Sequence, residues 1–158
     1  MSEFVCFGEI MARLNPIGYL RMVQAEELEI SYAGGEANAA VSLANYGKDS
    51  AFVTKLPDND LTKSALRKLR GYGIDVSGVT IGGDRMGVYF VEKGASQRAS
   101  KVTYDRKYSS ISMATPDDFD WDKIFENAKW FHFTGITPAI SDSAAELTEA
   151  ALKKAKEH

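Results

Sequence analysis

The sequence predicts an α/β fold, a mainly parallel sheet with helices on both faces, accompanied by a small separate β-sheet. Three observations carry this expectation. Short, continuously apolar runs that end at glycine alternate with stretches of helical period, as buried parallel strands and their covering helices do. From Ser77 to Ser112 the helical period disappears and strand alternation replaces it. Hydrophobic residues make up 44% and charged residues 26% of the 158, which supplies a core and excludes disorder as the main state.

Taken in order, Phe4 to Phe7 reads as a central strand covered on both faces and ending at Gly8. Residues 9–33 read as an excursion of short strands or a hairpin, with alternation in Leu28-Glu29-Ile30-Ser31-Tyr32. Ala33-Gly34-Gly35 reads as a glycine turn, and Glu36 to Tyr46 as an alanine-rich helix closed by Gly47. Ala51-Phe52-Val53 is a second apolar strand. Leu61, Ala65, Leu66 and Leu69 share one helical face, and that helix closes at Gly71 or Gly73. Met86 to Glu92 and Ser100 to Tyr108 read as a hairpin, with Gly82-Gly83-Asp84 as a hairpin turn before it. Pro116 opens a short acidic helix over Asp117 to Ala128, and Trp130 to Phe133 is a third apolar strand ending at Gly135. The last helix has Ser143 and Glu146 at capping-box spacing and a stripe of Leu147, Ala151 and Leu152. The chain stops on that helix with no closing strand, so it reads as half of a larger sheet.

Several function classes are excluded at this level. Nineteen Lys and Arg against twenty-two Asp and Glu give −3, which offers no general field for nucleic acid. No apolar run reaches the ~18 residues that span a bilayer, and the start of the chain lacks the basic and apolar regions of a signal peptide. A single cysteine, Cys6, cannot form an internal disulfide, so a reducing cytoplasm is the expected location. Two histidines and one cysteine do not make an ordinary structural zinc site. Asp117, Asp118 and Asp120 suggest magnesium on paper, yet acidic residues in a first helical turn are already explained by the helix dipole. His132 reads as a sheet histidine inside an apolar run. Lys153, Lys154 and Lys156 read as a solvated helix end.

Two constellations carry chemistry. Gly34 and Gly35 before a helix let a ligand approach backbone N–H groups, and the Asn38 amide, which both donates and accepts, suits sugar hydroxyls. The same residues also serve as a turn and a cap, and both readings stand. Tyr104 and Arg106 are two apart and share one face of a strand, and hairpin pairing brings Tyr89 to that face. A guanidinium fork with two phenols is a receptor for a carboxylate. Read alone, the tyrosines serve equally as packing and Arg106 as a rim charge. Glu9, at the end of the first strand, lies where open α/β sheets bind ligands.

Gly34-Gly35-Glu36-Ala37-Asn38-Ala39-Ala40, with Leu43-Ala44 and Gly47, resembles the N-terminal signature of ribokinase-like (PfkB) carbohydrate kinases. Phe7-Gly8-Glu9-Ile10-Met11, Gly87-Val88-Tyr89-Phe90, Tyr104-Asp105-Arg106 and Gly135-Ile136-Thr137-Pro138-Ala139-Ile140 resemble the 2-keto-3-deoxygluconate kinase branch. The resemblance implies a three-layer α/β/α, mainly parallel, ribokinase-like fold, with residues 1–158 as the N-terminal part of one domain. It further implies a small β-sheet lid formed by segments at about 10–32 and 84–112, which closes over the sugar and excludes water. The lid also implies a homo-oligomer.

The implied reaction moves the γ-phosphoryl group of ATP, with Mg2+, to a hydroxyl of 2-keto-3-deoxygluconate. Gly34, Gly35 and Asn38 are expected to bind hydroxyls. Tyr89, Tyr104 and Arg106 are expected to hold the carboxylate, and Ile136, in a loop, to offer backbone and apolar contact. The family's Gly-Ala-Gly-Asp motif, which supplies the catalytic base, is absent from this sequence. The base and most ATP contacts are therefore expected in a C-terminal half that the chain lacks, leaving this chain alone inactive. Fructose or another neutral sugar is the alternative substrate. A truncated, non-catalytic module that binds a sugar acid or dimerises is the alternative of another class, and an α/β domain without ligand the plainest one.

Overall fold

The computed structural model describes residues 2–158. Strand β1 (Phe4–Phe7) lies between β4 (Ser50–Val53) and β9 (Trp130–His132), all parallel. Alternation along these strands sends side chains to two separate cores. Cys6 and Phe52 face helices α1 (Gly35–Asn45) and α2 (Asp60–Gly71), where Ala37, Ala40, Ala65, Leu66 and Leu69 are buried. Val5, Phe7 and Val53 face α3 (Trp121–Phe125) and α5 (Asp142–Glu157) through Trp121, Ile124, Phe125, Leu147 and Ala151. This is the expected three-layer α/β/α arrangement, and the unbroken apolar run of β1 follows from its cover on both faces.

A second, four-stranded sheet stands at one end of the first. It comprises β2 (Met11–Pro16), β3 (Leu28–Ala33), β7 (Val88–Glu92) and β8 (Lys101–Asp105) in the order β3-β2-β7-β8. β2 pairs antiparallel with β3 and parallel with β7, while β7 and β8 form the expected antiparallel hairpin with shorter arms. The two β-rich stretches of the chain thus combine into one sheet.

Several expectations at the element level are corrected. Gly82-Gly83-Asp84 is not a hairpin turn, because β6 (Thr80–Ile81) before it pairs in parallel with β5 (Lys55–Leu56), in a different sheet from β7. The acidic helix over 117–128 breaks into a tight turn at Pro116–Asp118, an extended Phe119 and the five residues of α3. Asp120 caps α3 by accepting from Lys123 N at 3.2 Å, and Phe119 and Trp121 stack with ring centroids 5.1 Å apart beside Phe7. Burial of both rings outweighs continuous helix there.

In α5 the cap is Ser141, which accepts from Ala144 N at 3.0 Å, while Ser143 donates to the Ala114 carbonyl at 2.5 Å instead of capping. Leu152 is only half-buried, and Thr148 takes its place inside. On α2, likewise, Thr62 is buried and Leu61 is exposed. Leu147 and Ala151 are buried as expected. Short α4 (Ile136–Ala139) occupies what was expected to be a loop.

Candidate functional site

Four segments converge where the two sheets meet: the residues after β1, the start of α1, the β7–β8 hairpin and the start of α4. They enclose a cavity of about 160 Å³. Gly34, Gly35 and Asn38 form one wall, Tyr89, Tyr104 and Arg106 another, and Ile136 the rim. All seven residues singled out in the sequence therefore border one space, although they span more than a hundred positions of chain.

The first wall differs locally from the expected glycine turn. β3 runs directly into α1, and Gly34 is the helix N-cap in extended conformation. Glycine is required there by close approach, since a Cβ would collide with the Glu9 carbonyl. At Gly35 a Cβ would meet only Thr134 Cγ2, at 3.7 Å, so that position stays open toward the cavity. The first intrahelical bond runs from Asn38 N to Gly34 O at 2.8 Å, which leaves the N–H groups before it as donors for a ligand. Asn38 lies one turn into the helix and is exposed, so it does not cap.

The second wall follows from strand register. Tyr89 and Tyr104 are direct partners across β7 and β8, with rings stacked at 5.7 Å. Arg106 sits one residue beyond β8 with its guanidinium 5.7 Å from the Tyr104 ring. Burial pushes the Tyr89 phenol above its ordinary value, opposed by Arg13 and assisted by Tyr104, so at neutral pH it is a hydrogen-bond donor.

Two carboxylates complete the cavity, and sequence reasoning gave neither its present role. Glu9 is 4% exposed and forms an ion pair with Arg106, whose Nε donates to Glu9 Oε2 at 2.7 Å and whose Nη2 donates to the same oxygen. Arg106 is therefore not the free rim cation of the plainer reading. Glu36, also buried, accepts at Oε1 from Thr134 N (3.2 Å), Thr134 Oγ1 (2.5 Å) and Thr137 Oγ1 (3.0 Å). It ties the start of α1 to the turn that carries Ile136. Glu36 stands inside the quoted glycine signature, and Gly8 leaves room for its carboxylate, which a Cβ there would overlap.

A larger recess of about 350 Å³ lies behind Asn38 between β3, α1 and α2. Its one ionic group, Lys68, sits 5.1 Å over the Tyr32 ring. The smaller cavity holds the converging polar groups. Among the described residues no three His, Cys, Asp or Glu side chains are grouped as metal ligands. Asp118 pairs with Lys55 at 2.6 Å and Asp120 caps α3. The carboxylates of the Asp117–Asp120 segment that suggested magnesium on paper thus have protein partners at Asp118 and Asp120.

Fold and cavity together define an α/β domain in which a small β-sheet stands over a polar cavity at the C-terminal end of a parallel strand, the place where open α/β sheets bind ligands. The family model described as pfkB family carbohydrate kinase matches residues 1–158, and the chain belongs to that family. It is 37% identical over 156 residues to a 2-dehydro-3-deoxygalactonokinase of Haloferax volcanii, covering 99% of this chain and 49% of that protein. The crystal structure of a 2-dehydro-3-deoxygluconokinase from Thermotoga maritima superposes with a TM-score of 0.96 at 48% identity, over 99% of this chain and 48% of that one. A putative ribokinase II from E. coli, at 15% identity and a TM-score of 0.87 over 99% of this chain and 50% of its own, shares the fold. The chain spans about half the length of the relatives it matches.

Proposed function

We propose that this chain carries the sugar side of an ATP-dependent phosphotransferase acting on a 2-keto-3-deoxy sugar acid, 2-keto-3-deoxygluconate or its C4 epimer. The observation that carries the reading is the cavity in which a helix start, Asn38, two phenols and an arginine converge. Gly34, Gly35 and Asn38 bind hydroxyls, and Tyr89, Tyr104 and Arg106 receive the carboxylate, a group that neutral sugars lack. Ile136 packs against the ligand's apolar edge, and the β2–β3–β7–β8 sheet acts as a lid. The names of the relatives support the substrate class.

ATP, Mg2+ and the catalytic base are assigned to residues outside this chain, a reading supported by the absence of a Gly-Ala-Gly-Asp motif from its sequence and by its coverage of about half of its relatives. Domain organisation follows the same reading: residues 1–158 form the N-terminal part of one domain with the lid inserted. No described helix is long and apolar enough to cross a membrane, and an ATP-consuming enzyme with a lone thiol belongs in the cytoplasm. A second copy pairs through the lid.

Phosphorylation of 2-keto-3-deoxygluconate, 2-keto-3-deoxygalactonate and fructose by the full-length protein with ATP and Mg2+ tests the proposal. Turnover of either keto acid well above fructose is expected. Equal turnover of fructose overturns the substrate class, and no transfer to any of the three overturns the enzyme reading in favour of a binding module.

A further inference from the structure

Arginine offers two hydrogen-bonding edges: a side edge of Nε and Nη2, and an end edge of Nη1 and Nη2. In this chain Glu9 takes the side edge, both bonds ending on its Oε2. The remaining N–H groups of Arg106 have no hydrogen-bond partner among the described residues. Glu9 reaches this place from the segment after β1, 97 residues away in sequence, and its seat is built for it. Gly87 lies against the carboxylate, where a Cβ would come within 2.6 Å of Oε1 and 3.0 Å of Met11 Cγ. Glu9 Oε1 is itself buried and has no hydrogen-bond partner.

Such a group is a poor packing device. A buried carboxylate with one oxygen unpaired opposes folding, and an apolar side chain of similar volume would fill the space without that cost. Its retention beside the cavity is explained by what it does to Arg106. Two bonds to one oxygen fix the guanidinium plane, and the long arginine stem loses its freedom before any ligand arrives. The end edge then meets a ligand carboxylate as a preformed fork beside Tyr104 and its stacked partner Tyr89.

We propose that Glu9 is the positioning residue of the acid receptor: it aims Arg106, so that selectivity for a sugar acid belongs to the Glu9–Arg106 pair. This rests on the reading of Arg106 as the carboxylate receptor. The paired geometry also predicts how the two residues combine. Once Arg106 is gone, Glu9 has nothing left to position, and its removal adds no further loss of acid binding.

Steady-state kinetics of the full-length protein with 2-keto-3-deoxygluconate and with fructose tests this. Glu9→Gln keeps the volume and removes the charge. It should raise KM for the keto acid about tenfold with kcat within about twofold, and move KM for fructose by less than about twofold. Glu9→Gln combined with Arg106→Ala should match Arg106→Ala alone. Equal losses on both sugars, no loss, or tighter acid binding in Glu9→Gln overturns the positioning role. Should Glu9→Gln fail to fold, Gly87→Ala crowds Oε1 with both charges kept and must give the same acid-selective rise in KM. An unselective or silent Gly87→Ala overturns the inference. Arg106→Ala separates the two levels. Equal loss on both sugars removes the sugar-acid reading and the inference with it, whereas an acid-selective loss beside silent Glu9 and Gly87 variants removes the inference alone.

Discussion

Glu9 and Glu36 brace opposite walls of the cavity, and neither is explained by its neighbours in sequence. Glu36 bonds to Thr134 and Thr137, 98 and 101 residues further on. A glutamate in the first turn of a helix already has a local explanation in the dipole, so spacing rules leave its longer reach unseen. Tyr89, Tyr104 and Arg106 were legible because their relation is a strand period and a hairpin register, both short-range properties. Glu36 also shapes its surroundings. Burial pushes the Cys6 thiol up to about 12, and the nearby Glu36 charge adds to the shift. Cys6 is therefore expected to resist thiol reagents at pH 8 in the native protein and to react at once in denaturant. The sign for stability follows: the raised value contributes nothing adverse below the ordinary thiol value of 9.0 and costs stability as pH rises from there toward about 12. Urea titrations at pH 8 and pH 10.5 should show the loss. Labelling of native Cys6 at the rate of a free thiol would mean that β1 is not sealed between its two helix layers.

At the scale of elements, the sequence marked each strand of the central sheet and helices α1 and α2, because apolar runs and amphipathic stripes are local patterns. It misplaced α3 and the start of α5, where distant partners decide the outcome: Phe7 draws in Phe119 and Trp121, and Ala114 takes the Ser143 hydroxyl. The β5–β6 pair was missed for a related reason, since two residues per strand carry no period. Its stability comes from the turn at 116–118. Lys55 donates to Asp118 Oδ1 at 2.6 Å, Thr80 Oγ1 to the Asp118 carbonyl at 2.7 Å, and Thr115 N to Oδ2 at 2.8 Å. Burial alone would raise the Asp118 carboxyl, but the bonds from Lys55 and Thr115 outweigh it and hold it below the ordinary range. Asp118→Asn should cost about 1–3 kcal/mol at pH 7 in urea denaturation. A depressed value stabilises above the unfolded carboxylate value and loses that contribution as pH falls, so the gap to wild type should close below about pH 4. A gap unchanged at pH 3 would assign the loss to something other than the charge.

For the whole molecule, the decisive asymmetry lies in the small sheet. One of its faces bears Tyr89 and Tyr104 and looks into the cavity. On the opposite face, Ala12, Tyr32 and Val88 pack against the α1–α2 core, and the register continues that face outward through Leu14 opposite Ile30, Pro16 opposite Leu28, and Phe90 beside Leu14. Leu28 and Ile30 are 40% and 44% exposed. A sheet with an apolar face requires cover, and although Pro16 is fully buried, this chain leaves Leu28 and Ile30 of that face open. A second copy, offering the same partly covered face across a two-fold axis, would satisfy both sheets at once, because an isologous contact matches each patch with itself. The dimer would also steady the lid strands that carry the proposed carboxylate receptor, linking assembly to ligand binding. Light scattering of the full-length protein should give twice the chain mass. Ile30→Glu places a charge at the centre of the patch, away from the cavity, and should return the mass to one chain with native circular dichroism retained. A wild-type monomer at about 50 µM, well above the micromolar range of ordinary interfaces, would remove the lid from the dimer contact.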